Sequence, residues 1–193
     1  IDCTAQICRS SQVAALAWRP GRDEILLFER TGSARETVWL WRVGASSARA
    51  AIKTDGATRS SAHTPRCAIG AEALLCADAG AVVPPHIVRL SYDGQRKILD
   101  DPNAELRTRI SARATAMSWG RGVTGVLLRP VHTMTPVPLV VQYYRCSGFL
   151  KGGVGEEIPM LPLVDHGIAI LCMDRVRAEK EAGTGESYRL ALS

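Results

Sequence analysis

No apolar run in this sequence approaches the eighteen or so residues that a membrane-crossing helix needs, so membrane insertion by a helix of this chain is not expected. No basic-then-apolar leader opens it. The chain starts at Ile1 without a methionine and ends on "GESYRLALS", which reads as the first turns of a helix. It is therefore expected to be a segment of something longer, and a missing leader says nothing about export. No CxxC occurs, and no histidine stands at zinc-ligand spacing from a cysteine pair, which argues against a metal site and leaves no cofactor to expect. Basic residues form no dense face. The net charge is +5, but the two tightest groups, "ELRTR" with Arg107 and Arg109 and the stretch from Arg175 to Lys180, are balanced by neighbouring acids, so a nucleic-acid partner is not expected.

Two glycine motifs also lack what their function would require. "GRGVTG", Gly120 to Gly125, matches Gly-x-Gly-x-x-Gly, but "VLLRPV" follows it. A dinucleotide needs a helix there, to aim N–H groups at the pyrophosphate, so the glycines are read as a hairpin turn. "KGGVGEE" lacks the Lys-Ser/Thr ending of a phosphate loop. No Gly-x-Ser-x-Gly occurs, so these residues alone are not expected to perform acyl transfer through an α/β-hydrolase nucleophile. Asp165-His166 cannot act as base and orienter, because neighbours on a helix point apart. His63, His86 and His132 have no partner evident in sequence, and Asp174 is read as a cap at a strand end.

What is present is a core: 46% of the 193 residues are apolar, enough for one medium or two small domains. "QVAALAW", "EILLFER", "TVWLWRV" and a fainter strand near Ala50 to Lys53 precede a polar loop, "TDGATRSSAHTP". "RCAI", "ALLCA", "HIVRLSYD" and "QRKILDD" follow, with turn residues between strands throughout, which predicts an antiparallel meander. Two sets of about four strands suit two blades of a β-propeller, too few to close a ring. "AWRPGRDEILLF" resembles the Trp-x-Pro-Asp-Gly turn of propeller blades of the TolB and prolyl oligopeptidase kind in Trp18 and Pro20, and departs from it at Gly21-Arg22-Asp23.

From about Ala114 the pattern changes. "ATAMSWG" and "GVLLRPV" read as a strand pair, and "PLVVQYY" and "IAILCMD" as strands apolar on both faces, the mark of a covered sheet. Between these two, "EIPMLPLVDHG" has helical spacing, with Gly167 placed to cap its C-terminus. Strand, helix, strand predicts a βαβ unit with a parallel pair. The expected fold class is thus mixed: propeller blades over residues 1–108, then the N-terminal part of an α/β-hydrolase sheet, incomplete, over residues 109–193.

Six cysteines stand at Cys3, Cys8, Cys67, Cys76, Cys146 and Cys172. Cys67 and Cys76 flank "AIGAEALL", whose even length lets them face each other across a hairpin turning near Ala71-Glu72. A disulfide there would stabilise by about 2–3 kcal/mol, and Cys3 with Cys8 repeats the close pair. The alternative is small buried hydrophobes. Bridges would imply an oxidising compartment, the periplasm or the exterior, with the cytoplasm as the alternative.

"PLVVQYYRCSGFLKGGVGEE" followed by "EIPMLPLVDHGIAILCMDR" resembles the start of the catalytic domain in the prolyl oligopeptidase family of serine peptidases, and within it the lasso-peptide isopeptidases. Those carry a segment like "VVQYRSRGFLRGG-GDE-P" ahead of the same helix and strand. This chain keeps Val140-Val141-Gln142-Tyr143, Gly148-Phe149-Leu150, Gly152-Gly153, Gly155, Glu157 and Pro159. It departs at Tyr144, Arg145 and Cys146. The resemblance implies a parent that hydrolyses a peptide or isopeptide amide, its propeller restricting which peptides enter, with a peptide as substrate and a lasso peptide among the candidates. It also implies that a tyrosine ending this strand donates its hydroxyl to the oxyanion. Tyr144 matches that position best, Tyr143 competes for it, and both could instead simply cover the sheet end. The nucleophile, aspartate and histidine would lie beyond Ser193. The rival reading is a non-catalytic β-rich binding module that holds a peptide or protein partner. On the first reading the 193-residue chain alone turns over no activated ester. Hydrolysis of such an ester, abolished by a serine-directed phosphonate, would overturn this expectation.

Overall fold

A computed structural model describes residues 2–32, 35–54, 67–119, 123–133, 135–144, 146, 148–150 and 158–174. Its first sheet is an antiparallel meander of β1 (Val13–Trp18), β2 (Glu24–Gly32), β3 (Arg35–Arg42) and β4 (Arg49–Thr54). Its second is a like meander of β5 (Cys67–Ile69), β6 (Ala73–Gly80), β7 (Val83–Ser91) and β8 (Arg96–Asp100). These strands fall where the turn punctuation predicts. The polar loop between the meanders, with His63, lies outside the described residues.

Strand periodicity decides how the meanders meet. Leu26, Phe28, Val38, Leu40 and Ile52 share one face of the first sheet and form one core cluster with Leu74, Cys76, Val88 and Leu90 of the second. Leu27, Trp39 and Trp41, on the opposite face of the first sheet, pack with Ala5 and Ile7 from the segment ahead of β1. Trp18 is 54% exposed, so the β1–β2 hairpin is not built around it.

That hairpin is held from the other sheet. Arg19 donates from Nε to the Ala71 carbonyl at 2.6 Å, pairs with Glu24 at 2.5 Å, and lies over the Tyr92 ring at 4.4 Å. The Tyr92 hydroxyl donates to the Gly70 carbonyl at 2.9 Å. One guanidinium thus ties the first hairpin of one meander to the first hairpin of the next, and its stacking on a partly desolvated ring exceeds what an exposed ion pair alone contributes.

Helix α1 (Ala104–Arg109) leads into the third sheet, made of β9 (Ala112–Trp119), β10 (Val123–Pro130), β11 (Leu139–Tyr144) and, after helix α2 (Met160–Asp165), β12 (Ala169–Asp174). The order is β11-β12-β10-β9. β12 pairs parallel with β11 and antiparallel with β10, so the crossover from β11 through α2 gives the predicted parallel pair. α2 ends in a Schellman motif: Ile168 N donates to the Leu163 carbonyl, Gly167 N donates to the Val164 carbonyl, and Gly167 takes φ +83°. Met160, Leu161 and Val164 of the helix pack on Val126, Leu128, Ile170 and Cys172.

Gly125 corrects the turn reading of "GRGVTG". It lies inside β10, opposite Met117 and Met173. A Cβ there would come within 2.5 Å of the Cys172 carbonyl oxygen and 3.2 Å of the Trp119 ring, so close approach, not a turn, requires glycine. Gly120 to Gly122 lie outside the described residues.

Two outcomes follow from this packing. Phe28→Ala, at a wholly buried side chain, lowers unfolding free energy by about 3–5 kcal/mol in denaturant titrations, whereas Leu16→Ala, at a 62% exposed one, changes it by about 0.5 kcal/mol or less. Burial, opposed by the charge of Arg19 and reinforced by Glu24 and Glu72, pushes the Tyr92 phenol from 10.0 up to about 12. A folded-state value above the unfolded one means that this contribution is complete below about pH 10 and is lost as pH rises toward 12. The difference in stability between wild type and Tyr92→Phe is therefore flat up to about pH 10 and narrows above it. A difference that stays constant to pH 12 would contradict this assignment.

Candidate functional site

The site under test is the C-terminal end of the parallel pair, where α/β sheets place their ligands. β11 and β12 run in register from Leu139–Ala169 to Tyr144–Asp174, so both tyrosines stand at that end, Tyr143 opposite Met173 and Tyr144 opposite Asp174. Tyr143 is half-buried and packs with Val123, Met173, Trp119 and Leu171. The side chains of Tyr144 and Asp174 lie outside the described residues, as does "KGGVGEE".

One disulfide lies beside this end of the sheet. Cys146, two residues past β11, is bonded to Cys172 in the middle of β12, with Cα atoms 5.5 Å apart. Isolated in sequence, these two gave no sign of pairing; only the β11–β12 crossover brings them together. Cys67 and Cys76 are register partners in β5 and β6, bonded with Cα atoms 4.1 Å apart, and Cys3 is bonded to Cys8. All six cysteines are thus paired. The 26-residue separation of Cys146 and Cys172 encloses α2 and the first part of β12, and closing a loop of that length removes roughly 3 kcal/mol of unfolded-state freedom in the chain-entropy account.

The other polar candidates have structural partners. His86, 2% exposed, faces the Pro84 carbonyl through Nδ1 at 3.0 Å and Arg96 through Nε2 at 2.6 Å, and Arg96 also pairs with Asp78 at 3.1 Å. A carbonyl only accepts and a guanidinium only donates, so His86 carries its proton on Nδ1. This group joins β6, β7 and β8, and sequence spacing gave no hint of it. Asp165 accepts from the Ser111 hydroxyl, and His166 faces the Pro162 carbonyl at 2.8 Å, so the adjacent pair is engaged in two separate places. His132 is exposed in the turn after β10. A cavity of about 450 Å³ lies on β3 and β4, lined by Arg35, Trp39 and Lys53 among others, and so on a different sheet from the tyrosines. Among the described residues, no helix is long and apolar enough to cross a membrane, and no group of three His, Cys, Asp or Glu could hold a metal.

The architecture is mostly antiparallel, with few helices. No protein-family model matches the chain. The lasso peptide isopeptidase AtxE2 of Asticcacaulis excentricus is 29% identical over 187 residues, which cover 93% of this chain and 26% of the relative. A solved AtxE2 variant bound to Astexin3 superposes with a TM-score of 0.75 at 26% identity, over 97% of this chain and 28% of that one. The acylaminoacyl peptidase of Pyrococcus horikoshii shares the fold with a TM-score of 0.58 at 14% identity, over 84% of this chain and 25% of that one. The chain is thus similar in sequence and fold to a lasso peptide isopeptidase, and similar in fold to an acylaminoacyl peptidase. It spans about a quarter of the length of these relatives.

Proposed function

We propose that this chain is part of a serine peptidase that cleaves a peptide or isopeptide amide, with a lasso peptide as the substrate class. The observation that carries the reading is the parallel β11–β12 pair with both tyrosines at its C-terminal end. On this reading residues 1–108 supply two propeller blades that gate the site, and residues 109–193 begin the hydrolase sheet. The two antiparallel meanders, packed face to face, support the first part. The Gly-x-Ser-x-Gly nucleophile does not occur among these residues, so the serine and its aspartate and histidine come from sequence outside them. Three disulfides support an oxidising location, the periplasm or the exterior.

In this chemistry the serine attacks the amide carbonyl, and negative charge develops on its oxygen. A tyrosine hydroxyl and the backbone N–H after the nucleophile donate to that oxyanion. A donor pre-placed where charge appears is worth about 2.7–4 kcal/mol of barrier. Tyr144 takes that role and Tyr143 is the competitor. Tyr143 packs among Val123, Met173 and Trp119, a setting suited to covering the sheet, and this favours Tyr144 as the donor.

In the whole peptidase, Tyr144→Phe lowers kcat by roughly 100- to 1,000-fold with KM changed by about threefold or less, because the hydroxyl acts on charge present only in the transition state. Mass spectrometry of the opened peptide measures the rate. A large kcat loss in Tyr143→Phe instead would move the role one residue back. Unchanged turnover in both variants would remove the tyrosines from the site.

A further inference from the structure

We infer that the Cys146–Cys172 disulfide is a positioning bond for the tyrosine pair, fixing where β11 ends and hence where a tyrosine hydroxyl is delivered. The inference rests on the oxyanion reading above and adds two residues to it. Cys172 holds the chain on both sides of the tyrosines. It is the register partner of Gln142, just before them, and it is bonded to Cys146, just after them.

The distances show what this does. Neighbouring strands lie about 4.8 Å apart, so Gln142 sits at about that distance from Cys172. Cys146 is held at 5.5 Å from the same residue, Cα to Cα. The Gln142 and Cys146 Cα atoms are therefore at most about 10 Å apart, whereas four residues of extended chain would reach roughly 13–14 Å. β11, in register with β12 as far as Tyr144, therefore cannot continue straight to Cys146.

Both cysteines are buried, Cys146 at 1% and Cys172 at 0% exposure, and both belong to the core cluster under α2. The bond is therefore a permanent brace rather than an accessible thiol switch. β11 needs such a brace, because among the described residues it pairs with β12 alone, and the end of an edge strand is where a sheet opens first. An oxyanion donor must stand within about 2.7–3.1 Å of the developing charge, and a displacement of about 1 Å can cost on the order of 100-fold in rate. Cys146 also stands where this chain departs from the isopeptidase-like segment, next to Tyr144 and Arg145.

The test is a double-mutant cycle in the whole peptidase proposed above. Cys146→Ser lowers kcat by about tenfold or more and changes KM by about twofold or less. In the background of whichever tyrosine-to-phenylalanine variant slows turnover, Cys146→Ser has no further effect, because the hydroxyl it positions is gone. Cys172→Ala cuts the same bond from the core side and gives the same loss of kcat, which keeps the test intact should Cys146→Ser fail to fold. If the tyrosine variant slows turnover but bond removal has no effect, or multiplies with it independently, the positioning role is overturned and the oxyanion reading stands. If neither tyrosine affects turnover, the oxyanion reading falls and this inference falls with it.

Discussion

Burial of Ile170 and Cys172 in β12 is the constraint on which the third sheet rests. Both side chains are wholly buried, and the strand that carries them is hydrogen-bonded on both edges, parallel to β11 and antiparallel to β10. A one-residue slip would turn Ile170 and Cys172 out of the core beneath α2 and bring Leu171 and Met173 in. The apolar pattern therefore fixes the register, and the register brings Tyr143 and Tyr144 level with Met173 and Asp174 at the sheet's C-terminal edge. The position of the candidate site is a consequence of core packing some residues away from it.

The two meanders are organised by the same logic in antiparallel form. Phe28 and Val38 on one sheet meet Leu74 and Val88 on the other, and this apolar contact sets their separation. Arg19 then ties their hairpins at one end, through Ala71, Glu24 and Tyr92. The apolar contact is indifferent to small rotations, because it is non-directional. The guanidinium is not, since its planar fork must meet a carbonyl, a carboxylate and a ring face together. Affinity between the sheets thus comes mainly from the core, and their relative angle is constrained by cations, Arg19 and also Arg49, which donates to the Tyr92 carbonyl at 3.1 Å.

What the sequence made legible was local, and what it hid was distant. Strand alternation, turn glycines and the helix-ending Gly167 act over a few residues, so β1 to β12 and the α2 cap could be read directly. The facing of Cys67 and Cys76 was legible for the same reason, since an even spacing across a short hairpin is a local statement. Cys146 and Cys172, Arg19 and Tyr92, and His86 with Arg96 and Asp78 depend on which strands become neighbours, and no spacing rule encodes that. Gly125 was misread because glycine serves both turns and close approaches, and only the neighbouring Trp119 ring and Cys172 carbonyl show which applies. The tyrosine pair lay between these cases. Its place at a strand end was readable, but the reason the strand ends there was not.

One face of β11 bears on the larger reading. Val140 packs into the core under α2, whereas Leu139 and Val141, on the opposite face, are 53% and 50% exposed. Parallel strands occur almost only where both faces are covered, because their crossovers lay helices on the sheet. A second helical layer on this face would bury Leu139 and Val141 at about 25 cal/mol per Å² of apolar surface. The composition of this strand therefore argues on physical grounds, separately from any likeness to known peptidases, that the sheet is built to be covered on both faces.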